Sequence, residues 1–273
     1  MSKSNLITRT ITGLLYGLTL IVSLVINYYT FYIFFFIVLV LGLKEFYQLA
    51  EKKDAKPQKT LGFIMSIGLY ISSYLLPVNV KMSYLTLNLV LSLTFLLFAV
   101  ELFRSKEISF VNIGTSILGV IYVALPLSLL TFLAFDTNNQ YSHHLILSLF
   151  ILVWLSDVGG YFAGINFGKH KLIERISPKK TWEGVAGGLV LCIIGSYILS
   201  QFFPIMNIYM WLVLGVLVCV SSVIGDLIES MLKRSANIKD SGNILPGHGG
   251  ILDRFDSVLF VIPIVYIFKF FIL

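Results

Sequence analysis

Charge is what this sequence has least of. Asp, Glu, Lys and Arg make up 12% of its 273 residues, 57% are hydrophobic, and the mean hydropathy is +0.90. A soluble domain carries about 25% charged residues, so a water-soluble globule is excluded. Cysteine is almost missing: Cys192 and Cys219 both fall in apolar stretches, where a thiol behaves as a small hydrophobe. That leaves no disulfide framework and no thiolate metal site. Strict alternation of apolar and polar residues over about ten positions, the mark of a membrane β-strand, is missing as well. No small-residue cleavage site follows the first apolar run, which comes after Lys3 and Arg9, so that run reads as a retained span. With no low-complexity segment, linker or internal repeat, the simplest organisation is a single membrane domain over 1–273. Scaffold spans would occupy 1–140, and the spans and loops that carry chemistry would occupy 141–273.

What is present is length without charge. Apolar runs fall at 11–26, 30–50, 61–77, 84–103, 111–135, 143–165, 184–203, 208–230 and 254–272. About 20 residues of helix cross some 30 Å of hydrocarbon, so the expected fold is an all-α, polytopic integral membrane protein with about nine transmembrane helices. Lys and Arg favour cytoplasmic loops. Starting from a cytoplasmic N-terminus, all basic residues but Lys81 and Lys269 fall on the cytoplasmic side, and the C-terminus lies outside. The excess of six positive charges is therefore a topology signal and not a nucleic-acid footprint. His143 and His144, in a polar loop, read as interfacial residues. The first five spans look nearly free of ionisable groups and read as scaffold.

The later spans differ. Asp157 sits inside an apolar run followed by Gly159, Gly160 and Gly164; an intramembrane acid is a functional candidate by default, and such glycines serve helix packing. The next loop carries Ser177-Pro-Lys179-Lys180-Thr181-Trp-Glu-Gly184, two cations and hydroxyls at the start of a helix, where anions are favoured. Asp226, Glu229 and Ser230 fall within about one helical turn. Beyond a polar loop, Asp253 and Asp256 open the last span. Capping explains one acid there well and two poorly. Folding the loop back would gather carboxylates that cannot all be ionised without a cation among them. Mg²⁺, a hard ion that takes oxygen ligands and works with phosphates, suits such a set. Lys233, Arg234, Lys239 and Arg254 add positive charge for an anionic ligand. Gly249 and Gly250 leave backbone open to a phosphate. His248 reads as a phosphate donor or turn residue ahead of a base.

The run Ser230-x-Leu-Lys233-Arg234-x4-Lys239-Asp240-x-Gly242-x2-Leu245-Pro246-x-His248-Gly249-Gly250-Ile251-x-Asp253-Arg254-Phe255-Asp256 resembles the signature of the phosphatidate cytidylyltransferases, or CDP-diacylglycerol synthases, at every fixed position. Upstream, the Ser177–Gly184 element and the run from Asp157 to Gly164 are similar to that family too. The resemblance is strong over 150–260 and compositional before that. It implies transfer of a cytidylyl group from CTP to phosphatidic acid with Mg²⁺, in the plasma membrane, with the site at the cytoplasmic face. It also implies Asp226, Asp253 and Asp256 as metal ligands and Lys233, Arg234, Lys239, Asp240, His248 and Arg254 as catalytic groups. Asp157, Ser177, Lys179, Lys180, Thr181, Gly249 and Gly250 would bind substrate. A second cation and a homodimer are compatible with this reading.

Three rivals remain open. A transporter of ions or phosphate would also place acids in helices, although it predicts repeated halves and acids at mid-bilayer. A CTP-using enzyme acting on an isoprenoid or archaeal ether lipid differs only in its acceptor. A non-catalytic lipid scaffold needs fewer paired charges. On the enzyme reading, Asp226→Asn and Asp253→Asn are each expected to abolish turnover while folding and membrane insertion persist, as checked by activity of the purified, monodisperse variants.

Overall fold

The computed structural model describes residues 3–76, 79–104, 108–136, 140–242, 244 and 249–272. Lys106 and residues 245–248, His248 among them, lie outside the described residues. Each expected apolar run is helical over nearly all of its described length. The helices are α1 (Lys3–Ile26), α2 (Tyr28–Glu51), α3 (Lys59–Leu75), α4 (Val80–Phe103), α5 (Ser109–Gly119), α6 (Leu125–Leu133), α7 (His144–Phe167), α8 (Trp182–Phe202), α9 (Ile208–Ser235) and α10 (Leu252–Ile272). A π-turn, Val120–Ala124, joins α5 to α6, and the three pieces form one apolar stretch. Among the described residues seven helical stretches are long and apolar enough to cross a membrane. The 17-residue α3 reaches about 25 Å at the α-helical rise, and the apolar part of α1, Thr10–Ile26, is similarly short.

The chain divides into two compact units. One comprises residues 1–132 and 235–254, the other 133–234 and 255–273. In the first, the ends of α3, α4 and α5 meet around Glu101, which is 4% exposed. Its carboxylate accepts from Gln58 Nε2 at 2.7 Å, Asn112 Nδ2 at 2.8 Å and Arg104 Nη1 at 2.8 Å. A buried carboxylate needs such donors, because stripping it of water is otherwise prohibitive. Tyr32 and Tyr70 lock α2 to α3 by giving each hydroxyl to the other's main-chain carbonyl, at 3.1 and 2.9 Å.

In the second unit, α7 and α8 lie backbone to backbone. A Cβ added at Gly159 would stand 2.5 Å from the carbonyl oxygen of Gly187, so the glycines after Asp157 are packing residues, as small residues between membrane helices generally are. Between these helices the chain forms a feature the sequence reading did not contain. β1 (Lys171–Ile173) and β2 (Ser177–Thr181) pair antiparallel, Lys171 opposite Thr181 and Ile173 opposite Ser177. β2 delivers Thr181 as the N-cap of α8, its Oγ1 accepting from Gly184 N at 3.1 Å, an arrangement that satisfies an orphan helix amide. α9 ends with Lys233 and Arg234 in its last turn, where cations complement the helix dipole. Asn237, at φ 56°, then turns the chain away; Asn tolerates this left-handed region better than most residues.

The close α7–α8 contact yields a stability prediction. Gly159→Ala must push one backbone from the other and should destabilise the protein by about 1–3 kcal/mol, the usual cost of overpacking. Gly17→Ala, where nothing lies within 4 Å of the new methyl, should be close to neutral; thermal unfolding of both variants in detergent checks the difference.

Candidate active site

A cavity of about 250 Å³ opens in the second unit, and its lining includes Asp157, Tyr161, Lys179, Lys180, Thr181 and Asp226. Three elements supply these groups. α7 presents Asp157 and Tyr161 one turn apart, β2 presents the lysines, and α9 presents Asp226. The carboxylate of Asp226 is held from two directions: Lys180 Nζ pairs with Oδ2, and Ser230 Oγ donates to Oδ1 at 3.3 Å. Of the residues expected on this strand, Lys179, Lys180 and Thr181 line the cavity; Ser177, at the other end of β2, is absent from the lining.

Asp226 also belongs to an acidic cluster. Oxygens of Asp226, Glu229 and Asp256 lie within 4.8 Å of one another, with Glu229 buried and the two aspartates half-buried. Helical spacing puts Asp226 and Glu229 on one face of α9, and α10 brings Asp256, whose Oδ1 accepts from Ser257 N at 2.6 Å. Lys233 pairs with Glu229 one turn along α9. Three carboxylates this close together call for positive charge among them, which a divalent cation would supply. The donor set is all oxygen, as a hard cation such as Mg²⁺ requires, so these residues fit that ion.

Asp253 is employed differently. It lies in the first unit and is not one of the three clustered acids. Its Oδ2 accepts from Ser241 N at 2.9 Å, Ser241 Oγ at 3.0 Å and Gly250 N at 2.7 Å. Three donors on one oxygen make it the anchor of a loop, and Glu229, which the sequence presented only as a neighbour of Asp226, stands in the cluster instead. The glycines are occupied in the same way. A Cβ at Gly249 would meet Asp253 Oδ2 at 2.5 Å, and one at Gly250 would meet Glu45 Oε2 at 2.4 Å, so protein carboxylates fill the space those glycines leave. Arg234, Lys239, Asp240 and Arg254 are exposed.

Sequence reasoning also passed over Glu45 and Glu183. The available signal for Glu45 was that it falls inside an expected span, where any acid warrants attention. Glu183 fastens the approach to the hairpin. Its carboxylate accepts from Lys169 N at 3.1 Å and His170 N at 3.2 Å and pairs with His170 Nδ1 at 2.6 Å.

A multi-helix membrane protein whose second unit holds an acid cluster beside a lysine-lined cavity is thereby defined. Comparison with known proteins places it more closely: the cytidylyltransferase family model matches residues 7–272, and the chain belongs to that family. It is 35% identical over 261 residues to the protein named phosphatidate cytidylyltransferase in Staphylococcus haemolyticus, covering 95% of this chain and 97% of that one. The protein of the same name in Staphylococcus saprophyticus is 37% identical over 208 residues, 76% of this chain and 78% of its own length. Its namesake in Staphylococcus aureus is 34% identical over 261 residues, 95% and 97% of the two chains.

The Glu183 contacts predict a local effect. Glu183→Ala frees residues 168–170, and trypsin should cut after Lys169 or Lys171 several times faster than in the parent protein; equal cleavage rates in a timed digest would contradict the anchoring role.

Proposed function

We propose that the protein transfers the cytidylyl group of CTP to phosphatidic acid, forming CDP-diacylglycerol and pyrophosphate with Mg²⁺ as cofactor. The reading is carried by the meeting of Lys180 with Asp226 in one cavity, a phosphate-binding cation beside an acid of a metal-type cluster. Family membership and the names of the relatives support the choice of nucleotide and lipid.

The chemistry explains why this site contains cations and acids and needs no strong base. A phosphate monoester has a second pKa of about 6, so its oxygen is already mostly ionised at neutral pH. That oxygen attacks the α-phosphorus of CTP, the new P–O bond forms, and the bond to the departing pyrophosphate breaks in line. Two polyanions must be held together for this, so positioning and charge neutralisation carry the rate.

Asp226 and Asp256, with Glu229, would hold Mg²⁺; a bound ion there would neutralise phosphate charge and polarise the transferred phosphoryl group. Lys180 and Lys233, which neutralise acids in the free protein, are the cations able to turn toward substrate phosphates. Lys179 and the exposed Arg234, Lys239 and Arg254 would widen the phosphate clamp, and Asp157 would orient the sugar. The distribution of Lys and Arg supports a site at the cytoplasmic face of the membrane. There a lipid confined to the bilayer and a soluble nucleotide can both reach it.

The test is turnover of detergent-purified protein with labelled CTP, phosphatidic acid and Mg²⁺, with EDTA and lipid-omission controls. CDP-diacylglycerol should form only when lipid and metal are both present, and Asp226→Asn or Asp256→Asn should lower kcat at least roughly 100-fold, the scale for losing one preorganised electrostatic group. Product from another lipid but not from phosphatidic acid would overturn the acceptor assignment.

A further inference from the structure

Glu45, near the end of α2, is 1% exposed, and its carboxylate is spent on the main chain of the signature loop. Oε1 accepts from Ile251 N at 3.0 Å; Oε2 accepts from Leu252 N at 2.9 Å and Ser241 Oγ at 3.2 Å. The hydroxyl of Ser241 faces a second carboxylate, Asp253 Oδ2, at 3.0 Å, and that oxygen also accepts from Ser241 N and Gly250 N. Two acids from distant parts of the sequence thus hold Ser241 together with Gly250, Ile251 and Leu252, and one of them fixes the first residue of α10. The glycines flanking the grip admit it. A Cβ at Gly242 would lie 2.4 Å from Glu45 Oε1, and one at Gly250 would lie 2.4 Å from both Glu45 Oε2 and Ser241 Oγ.

We infer that Glu45 is a positioning residue for the reaction: with Asp253 it closes the base of the signature loop and sets the start of α10, the helix that carries Asp256. A carboxylate is required. It offers acceptors on both oxygens, whereas an amide offers one acceptor and one NH₂, so Gln at this position must leave either Ile251 N or Leu252 N facing a donor. No bulkier residue fits at Gly250 while the carboxylate stays. The kinetic part of this inference rests on the cytidylyl-transfer reading, and the structural part does not.

The experiment combines amide hydrogen exchange with steady-state kinetics on the full-length protein in detergent. In the parent protein the amides of Ser241, Gly250, Ile251 and Leu252 should be protected. In Glu45→Gln, exchange at whichever of Ile251 and Leu252 faces the NH₂ should rise at least roughly tenfold, the loss of one charge-assisted hydrogen bond, with α7 and the β1–β2 hairpin unchanged. In the same variant kcat should fall at least roughly tenfold while KM for CTP stays within about threefold, as expected when a transition-state arrangement is lost and ground-state binding is not. Gly250→Ala should reproduce this phenotype, and adding Glu45→Asp, whose shorter side chain makes room for the methyl group, should recover part of the lost kcat. Unprotected amides in the parent protein would overturn the clamp without reference to any variant. So would a Glu45→Gln kcat within twofold of the parent, or an exchange increase spread across the whole protein. If the parent protein has no turnover, the transfer reading fails, and the exchange data alone decide the clamp.

Discussion

A carboxylate inside an apolar helix bundle survives as an anion only where donors or cations replace the water it has lost, and the polar architecture of this protein is organised around that requirement. Glu101 takes three side-chain donors at the ends of α3, α4 and α5. Glu45 and Asp253 take main-chain amides and a serine hydroxyl. Asp226 and Glu229 take lysines. The kind of partner separates the acids into two groups. Glu45 and Asp253, whose donors are mainly main-chain amides, hold backbone in place, because each such donor is fixed by the fold. Those facing lysines have mobile partners that a substrate or a metal ion can replace.

This distinction marks the limit of what the sequence could reveal. The helical spans were legible because apolar length is a one-dimensional property, and among the described residues seven of them are long and apolar enough to cross a bilayer. Asp226, Asp253 and Asp256 were legible as acids at the edges of one loop, and of these Asp226 and Asp256 come together. The partner of each acid was not legible. Asp253 and Asp256 are three apart and identical in kind, yet the first accepts on Oδ2 from Ser241 and Gly250, while the second joins Asp226 and Glu229. Only tertiary placement distinguishes them. Glu45 was invisible for a related reason: its donors lie about 200 positions away in sequence. The short β-hairpin was hidden too, because Ser177-Pro-Lys-Lys-Thr has neither the length nor the apolar alternation of a strand signal, and its role is to aim lysines rather than to build a core.

Glycine serves the same logic in two settings. Between α7 and α8 it lets backbones touch, which substitutes packing for the hydrophobic drive that lipid surroundings do not provide. In the signature loop, Gly242, Gly249 and Gly250 leave room for the carboxylates of Glu45 and Asp253. A glycine-rich run beside cations invites a phosphate-cradle interpretation. Here the space is occupied by the protein's own acids, so the run acts first on loop geometry, and any phosphate contact depends on the shape those acids impose.

The separation of tasks also bears on how one small site can handle two polyanions. A loop fixed by lysines would loosen whenever those lysines turned to substrate, and the arrangement needed for in-line transfer would be lost as the substrate bound. Amides cannot be recruited away in that manner, since they are tied to the backbone they stabilise. On the function proposed above, a loop held by Glu45 and Asp253 would not depend on Lys180 and Lys233, which would then be able to exchange their acidic partners for phosphate oxygens. The cost of crowding three acids together would then fall as substrate charge and metal charge arrived together, because each ion that entered would meet an opposite charge already in place.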